Sequence, residues 1–80
     1  MNLTSYAQVL EQAKSQAVNY KEARVVIYRP YKDEFKDYSL SVHTLNENPE
    51  FQELIVASVD HAGFIMESLW IKAKLQEVAA

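Results

Sequence analysis

The chain contains a single glycine, Gly63, among its 80 residues, and it contains no cysteine. Glycine supplies the positive φ angles of tight turns and lets the backbone approach phosphate groups closely. One glycine therefore excludes glycine-rich phosphate-binding loops, and the lack of cysteine excludes disulfide frameworks and thiolate zinc sites. An apolar core has to hold this chain together, and most of its turns have to be built without glycine.

The composition indicates one small globular domain over residues 1–80. Apolar residues make up 49% of the chain and charged residues 24%, proportions that are typical of globular proteins and argue against disorder. The longest apolar runs, residues 25–28 and 54–57, are four residues long, whereas a membrane helix needs about 20. Because the first thirteen residues hold no Lys or Arg, we recognise no export signal and expect a soluble, cytoplasmic protein.

The formal net charge of −3 is concentrated in the C-terminal half. Residues 47–80 hold six carboxylates and two lysines, a net −4, whereas residues 21–46 hold five cations and four carboxylates, a net +1. Proteins that bind duplex nucleic acid gather Lys and Arg on one face to displace counterions from phosphate. The charge distribution therefore disfavours duplex binding.

The first half of the chain predicts a helix followed by a β-hairpin. Ser5 and Gln8 form a capping-box pattern, and apolar residues then recur at helical spacing to about Asn19. Residues 23–28 are rich in β-branched and aromatic side chains, and residues 38–43 alternate between apolar and polar, so two antiparallel strands are expected. A loop over residues 30–36 joins them, because no glycine is present for a two-residue turn.

The second half admits two interpretations. Asn48, Pro49 and Glu50 form a helix-start signal, and apolar residues at helical spacing favour one long helix from Pro49 to about Val78. Alternatively, residues 53–59 form a third strand, with Asp60 capping a shorter helix. Gly63 is awkward only inside the long helix. Both interpretations give an α+β fold, in which helices cover one face of a two- or three-stranded antiparallel sheet.

The hairpin is the predicted partner-binding site. Four of the nine aromatic residues lie within eleven positions there, interleaved with three cations. Tyrosine and arginine are enriched at protein contacts, and rings alternating with cations also suit single-stranded nucleic acid. The predicted partner-binding residues are Tyr28, Arg29, Tyr31, Lys32, Phe35, Lys36 and Tyr38.

The long helix also predicts a self-association surface. Beyond Gly63 the long helix would be apolar over much of its circumference. One hairpin and one alanine-rich helix cannot cover that much apolar surface. The predicted self-association residues are Phe64, Ile71, Leu75 and Val78. Trp70 is interpreted as a core residue.

Chemistry-bearing residues are few. The two histidines, His43 and His61, have no metal-ligand spacing and no serine nucleophile motif beside them. We therefore predict no catalytic residues, no metal and no cofactor. The leading hypothesis is a small non-enzymatic protein-binding module of the regulator, inhibitor or adaptor class, homodimeric through its C-terminal helix. The alternative is a small nucleic-acid-binding protein that uses residues 28–38.

Overall fold

The computed structural model describes residues 3–29, 38–49 and 51–79, apart from the side chains of residues 3–5, 78 and 79. It confirms the α+β class, with a helix near each end and four antiparallel strands in the described residues. The helices are α1 (Leu3–Ala17) and α2 (Leu69–Ala79), and a 3₁₀ turn spans Gln52–Leu54. The strands are β1 (Ala23–Tyr28), β2 (Ser39–Thr44), β3 (Ile55–Asp60) and β4 (Ile65–Glu67).

The strand order β2-β1-β3-β4 makes β1 the central strand. Val25, Val26 and Ile27 are buried although they point to alternate faces, as expected of a strand covered on both sides. Because β2 and β3 are both antiparallel to β1, they run parallel to each other. The connection between them, residues 45–54, must therefore cross the sheet; we call it the crossover.

Both helices contribute side chains to one core. Ala13 and Ala17 of α1 are fully buried, so small side chains let this helix lie close to β1 and β3. From α2, Ile71 reaches the same core. The buried core residues are Tyr6, Val9, Ala13, Ala17, Val25, Ile27, Val56, Ala57, Val59 and Ile71.

The prediction of one long C-terminal helix is wrong. The alternative interpretation, which places a third strand in this region, is correct. Residues 55–60 pair with β1 through a bulge at the Ile27/Tyr28 step, and Val56 and Ala57 are both fully buried there. A helix would leave these backbone groups unpaired with β1 and expose part of the apolar run. Pairing with the central strand therefore outweighs the local helix-start signal at Asn48 and Pro49.

The turn between β3 and β4 explains the single glycine. Gly63 has a φ of 85°, and its N–H donates to the Asp60 carbonyl at 3.0 Å. The Asp60 carboxylate accepts from the Phe64 N–H at 2.8 Å, so Asp60 caps this turn and not a helix. The cap of α2 is Ser68, whose Oγ accepts from the Ile71 N–H at 3.3 Å. Neither helix of the described chain is both long enough and apolar enough to span a membrane.

Candidate functional site

The sheet face opposite α1 is covered in part by the crossover. We call this face of the sheet the helix-free face. Val26 points to this face between Ser41 and Ser58, yet it is only 1% exposed. Two guanidinium groups hold the crossover over Val26 by hydrogen bonds. Arg24 Nη2 donates to the Glu47 carbonyl at 2.6 Å, and Arg29 Nη2 donates to the Glu53 carbonyl at 3.1 Å. The crossover thus serves as the second layer over the central strand.

A groove of about 890 Å³ opens between β2 and the crossover. Its volume falls in the range of small-molecule sites. Phe51 lines it with a half-exposed ring and has φ 56° and ψ 50°, a left-handed conformation that is unusual for a bulky residue. The lining residues are Tyr28, Arg29, Ser39, Ser41, Val42, His43, Glu47, Asn48, Phe51 and Leu54.

Three polar groups, a hydroxyl, an imidazole and a carboxylate, contact one another in a row along this groove. Tyr28 Oη and His43 Nε2 share a hydrogen bond of 3.0 Å, and His43 Nδ1 lies 3.6 Å from Glu47 Oε2. The same carboxylate oxygen accepts from the Thr44 N–H at 2.9 Å. When the imidazole proton is on Nδ1, it faces Glu47, and Nε2 accepts from Tyr28. These contacts tie the start of the crossover to β1 and β2.

Sequence reasoning missed this cluster and placed His43 on a solvated face. The His43 side chain is instead 19% exposed, because the crossover turns back over it. The four-residue separation of His43 and Glu47 indicates a contact only on a helix; here the contact depends on the turn after β2, in which the Glu47 N–H donates to the Thr44 carbonyl at 3.1 Å. The contribution of Tyr28 could not be inferred from sequence either, since it depends on the register of β1 against β2.

The predicted hairpin site is divided between the two faces. Tyr28 and Arg29 line the groove. Tyr38 was predicted to contact a partner, but it packs on the core beside Tyr6, with ring centroids 6.4 Å apart. Alternation along the strand puts Tyr38 on the same side as Leu40, which packs against the same core. A contact between Tyr38 and a partner stays a prediction. Tyr31, Lys32, Phe35 and Lys36 lie outside the described residues.

The described arginines of this region have structural contacts. The Arg29 guanidinium lies 4.4 Å from the centroid of the Trp70 ring, within the range of a cation–π interaction. It therefore connects the end of β1 to α2 as well as to the crossover. Trp70 packs against the core, as its interpretation from sequence expected.

Three large apolar side chains that lie close together in the sequence, before, in and after β4, are strongly exposed. Phe64 and Met66 are each 65% exposed and Leu69 is 84% exposed. Met66 lies opposite Ser58, and the Phe64 carbonyl accepts from the Asp60 N–H at 3.1 Å, so both side chains lie on the helix-free face. Leu69 begins α2 three residues later. We call Phe64, Met66 and Leu69 the β4 patch.

The predicted self-association stripe is not a continuous helical surface. Ile71 is fully buried within the monomer, and Leu75 packs against the core. Phe64 precedes β4 and is not part of α2, and the side chain of Val78 lies outside the described part of the structure. The predicted stripe required these residues to lie on one long helix. Because that helix is not present, they do not form one continuous helical surface.

Tyr6 connects α1 to β4 beneath the sheet. Its hydroxyl donates to Glu67 Oε2 at 2.6 Å. Burial raises the pKa of Tyr6 well above its usual value, and the neighbouring Glu67 carboxylate raises it further. Burial also raises the pKa of Tyr38.

Among the described residues, no group of three or more His, Asp or Glu side chains is placed to hold a metal ion. No protein-family model, curated protein or solved structure matches this chain.

Proposed function

We propose that this chain is a small non-enzymatic protein-binding module, of the regulator, inhibitor or adaptor class, that docks its partner on the β4 patch. The supporting observation is the exposure of Phe64, Met66 and Leu69, at 65%, 65% and 84%, within six residues of chain. Single exposed apolar residues are ordinary, but neighbouring ones mark interaction sites. Phenylalanine and methionine are among the residues enriched at such sites.

Charge indicates what kind of partner would fit. The patch belongs to the half of the chain that carries a net −4 over residues 47–80. A partner with an apolar centre and Lys or Arg around it gains from this field, which accelerates association and selects against acidic proteins. A basic rim on the partner is therefore expected.

A binding role agrees with the use of the groove residues inside the molecule. Tyr28, His43 and Glu47 contact one another and hold the crossover on the sheet. Their placement is accounted for by this structural task. The proposal therefore assigns them no acid–base chemistry.

The nucleic-acid alternative has less support. Arg24 and Arg29 donate to backbone carbonyls of the crossover, so phosphate would compete with contacts that hold the fold. Replacing Arg29 would also perturb the structure. The informative variant is Lys32→Ala with Lys36→Ala; salt-sensitive oligonucleotide binding that this variant abolishes would favour the alternative.

The proposed function is tested by comparing three baits in pull-downs from extracts of the source organism. The first is the unmodified protein, and the second is the patch variant Phe64→Ser/Met66→Ser/Leu69→Ser. The third is a control, Val18→Ser/Leu45→Ser, which removes apolar side chains that are 57% and 53% exposed elsewhere. Circular dichroism verifies that all three are folded.

We expect one partner to be retained by the unmodified and control baits and lost by the patch variant. With that partner purified, calorimetry should give a dissociation constant at least about 30-fold weaker for the patch variant, the equivalent of about 2 kcal/mol. Equal capture by the patch variant, or no protein captured by any bait, would contradict the proposed function.

A further inference from the structure

The edge strand β2 directs part of its backbone away from the sheet. In the described residues it pairs only with β1. The Leu45 N–H donates at 3.2 Å to the carbonyl of Glu22, which lies opposite when the register Ala23↔Thr44 is extended by one residue. Hydrogen-bonded pairs alternate along an antiparallel ladder, so Leu40, Val42 and Thr44 direct their N–H and C=O groups outward.

The Thr44 amide agrees with this assignment. Its N–H donates to the Glu47 carboxylate at 2.9 Å and not to β1. Glu47 therefore terminates the outward-facing row at one end of the strand. The outward groups that remain are those of Leu40 and Val42.

The sequence of β2, SLSVHT, lacks the features that usually protect an edge. It contains no Lys, Arg, Asp, Glu, Pro or Gly, although charges, prolines and bulges are the common protection against edge pairing. Leu40 packs on the core, and Val42, on the same face, is 43% exposed. Ser39 and Ser41 lie on the opposite face, beside the groove.

We propose that β2 pairs antiparallel with β2 of a second copy of this chain, about a two-fold axis at Ser41. Leu40 then exchanges both of its N–H···O=C bonds with Val42 of the partner subunit, and the symmetric exchange forms on the other side of the axis. On the helix-bearing face, Val42 packs against the partner subunit's Leu40. On the helix-free face, Ser41 meets its own symmetry mate, and Ser39 lies opposite the partner subunit's His43.

Charge favours a second copy at this edge. An antiparallel dimer places the strand against itself, and a strand without charged residues brings no like charges together. Residues 21–46, around β2, carry a net charge of only +1, whereas residues 47–80 carry −4. Two copies meeting at the β4 edge would bring their acidic halves together. Pairing at β2 is also independent of what binds the β4 patch, since that patch lies at the other edge of the sheet.

The test combines light scattering over a dilution series with two variants at one position. Val42→Pro removes the outward N–H, which β1 does not use, and proline is tolerated on edge strands. Val42→Thr is the matched control, because it keeps the N–H and the β-branched shape. We expect the unmodified protein and Val42→Thr to give twice the monomer mass, and Val42→Pro to dissociate about 30-fold more readily, the loss of one backbone bond on each side of the axis.

Amide hydrogen exchange supplies a second readout that identifies the surface. The amides of Ser39, Ser41 and His43 bond to β1 and should be protected at every concentration. Those of Leu40 and Val42 should be protected only where the dimer forms. A monomer at all concentrations, a dimer that Val42→Pro does not weaken, or protection of Leu40 and Val42 only by a different protein would each overturn pairing with a second copy.

Discussion

At the scale of single residues, two neighbouring tyrosines, Tyr6 buried and Tyr38 partly buried, differ in one hydrogen bond. The rings of Tyr6 and Tyr38 lie 6.4 Å apart, and both pack in the core. The Tyr6 hydroxyl donates to Glu67 at 2.6 Å, whereas the Tyr38 hydroxyl is buried with no hydrogen-bond partner among the described residues. Comparing the two tyrosines therefore separates the contribution of the hydrogen bond to stability from the contribution of the packed ring.

We predict opposite results when each tyrosine becomes phenylalanine. Tyr6→Phe should lower the free energy of unfolding by about 1.5–3 kcal/mol, because it removes a bond to a half-buried carboxylate. Tyr38→Phe should leave the free energy unchanged or raise it slightly, because it removes a buried hydroxyl for which the described residues supply no partner. Urea denaturation measures both. A similar loss in the two variants would show that the Glu67 bond has no special role.

The same residues predict an alkaline limit of stability. Burial raises the pKa of both Tyr6 and Tyr38 in the folded protein. Above the unfolded value of 10.0, the unfolded chain loses these protons while the folded chain keeps them. The contribution of these two tyrosines to the free energy of unfolding is therefore fully present below pH 10. Above pH 10 the free energy of unfolding falls by about 1.4 kcal/mol per pH unit for each proton that the folded chain retains.

This limit is measured from urea unfolding at a series of pH values. The double variant Tyr6→Phe/Tyr38→Phe should flatten the decline above pH 10, and Tyr20→Phe, at an exposed position, serves as its control. An equally steep decline in the double variant would assign the alkaline limit to other groups.

At the scale of elements, the β3–β4 turn depends on Gly63. Its φ of 85° is a conformation that L side chains rarely adopt, although no atom lies within 4 Å of an added Cβ. Gly63→Ala should therefore destabilise the protein by about 1–2 kcal/mol through backbone strain alone. Gly63→Asn should cost less, because asparagine tolerates positive φ.

Thermal unfolding tests this order of stabilities. For a chain of this size, about 1 kcal/mol corresponds to a shift of about 4–8 °C in Tm, so the three proteins should be well resolved. If alanine at position 63 were neutral or stabilising, the residue would have to lie in a helix, as the long-helix interpretation required.

At the scale of the whole molecule, Arg29 connects three parts of the fold. It follows β1, donates to the crossover at Glu53 with a bond of 3.1 Å, and lies 4.4 Å from the Trp70 ring of α2. Trp70 is the only tryptophan, so its fluorescence reports on this contact without added labels.

We predict that Arg29→Ala shifts the Trp70 emission to longer wavelength and lowers the free energy of unfolding by about 2–4 kcal/mol. The reason is that the variant loses a charge-assisted hydrogen bond and a cation–π contact together. Arg24→Ala is the control, because Arg24 also donates to the crossover, at Glu47, and its described contacts include no tryptophan. An identical emission spectrum for Arg29→Ala would contradict the assigned contact.

The sequence by itself determined the class of the fold and the elements with one unambiguous period. β1 and β2 were predicted within a residue of their bounds, and α1 within two. The helical spacing of apolar residues is seen in the side chains that α1 buries, which are Tyr6, Val9, Ala13 and Ala17. α1 and β2 each bury one face, and β1 buries both faces. The order of apolar and polar residues along each element is therefore enough to predict it.

Only the tertiary structure decided the course of residues 49–79. Ile55 and Val59 satisfy a helical period, while the unbroken run Ile55, Val56, Ala57 equally suits a buried strand. The choice depends on β1, which needs a second antiparallel neighbour to bury Ile27 and Val25. The groove, the Tyr28–His43–Glu47 contacts and the exposure of the β4 patch follow from that pairing. They depend on contacts between residues distant in sequence, which no local pattern encodes.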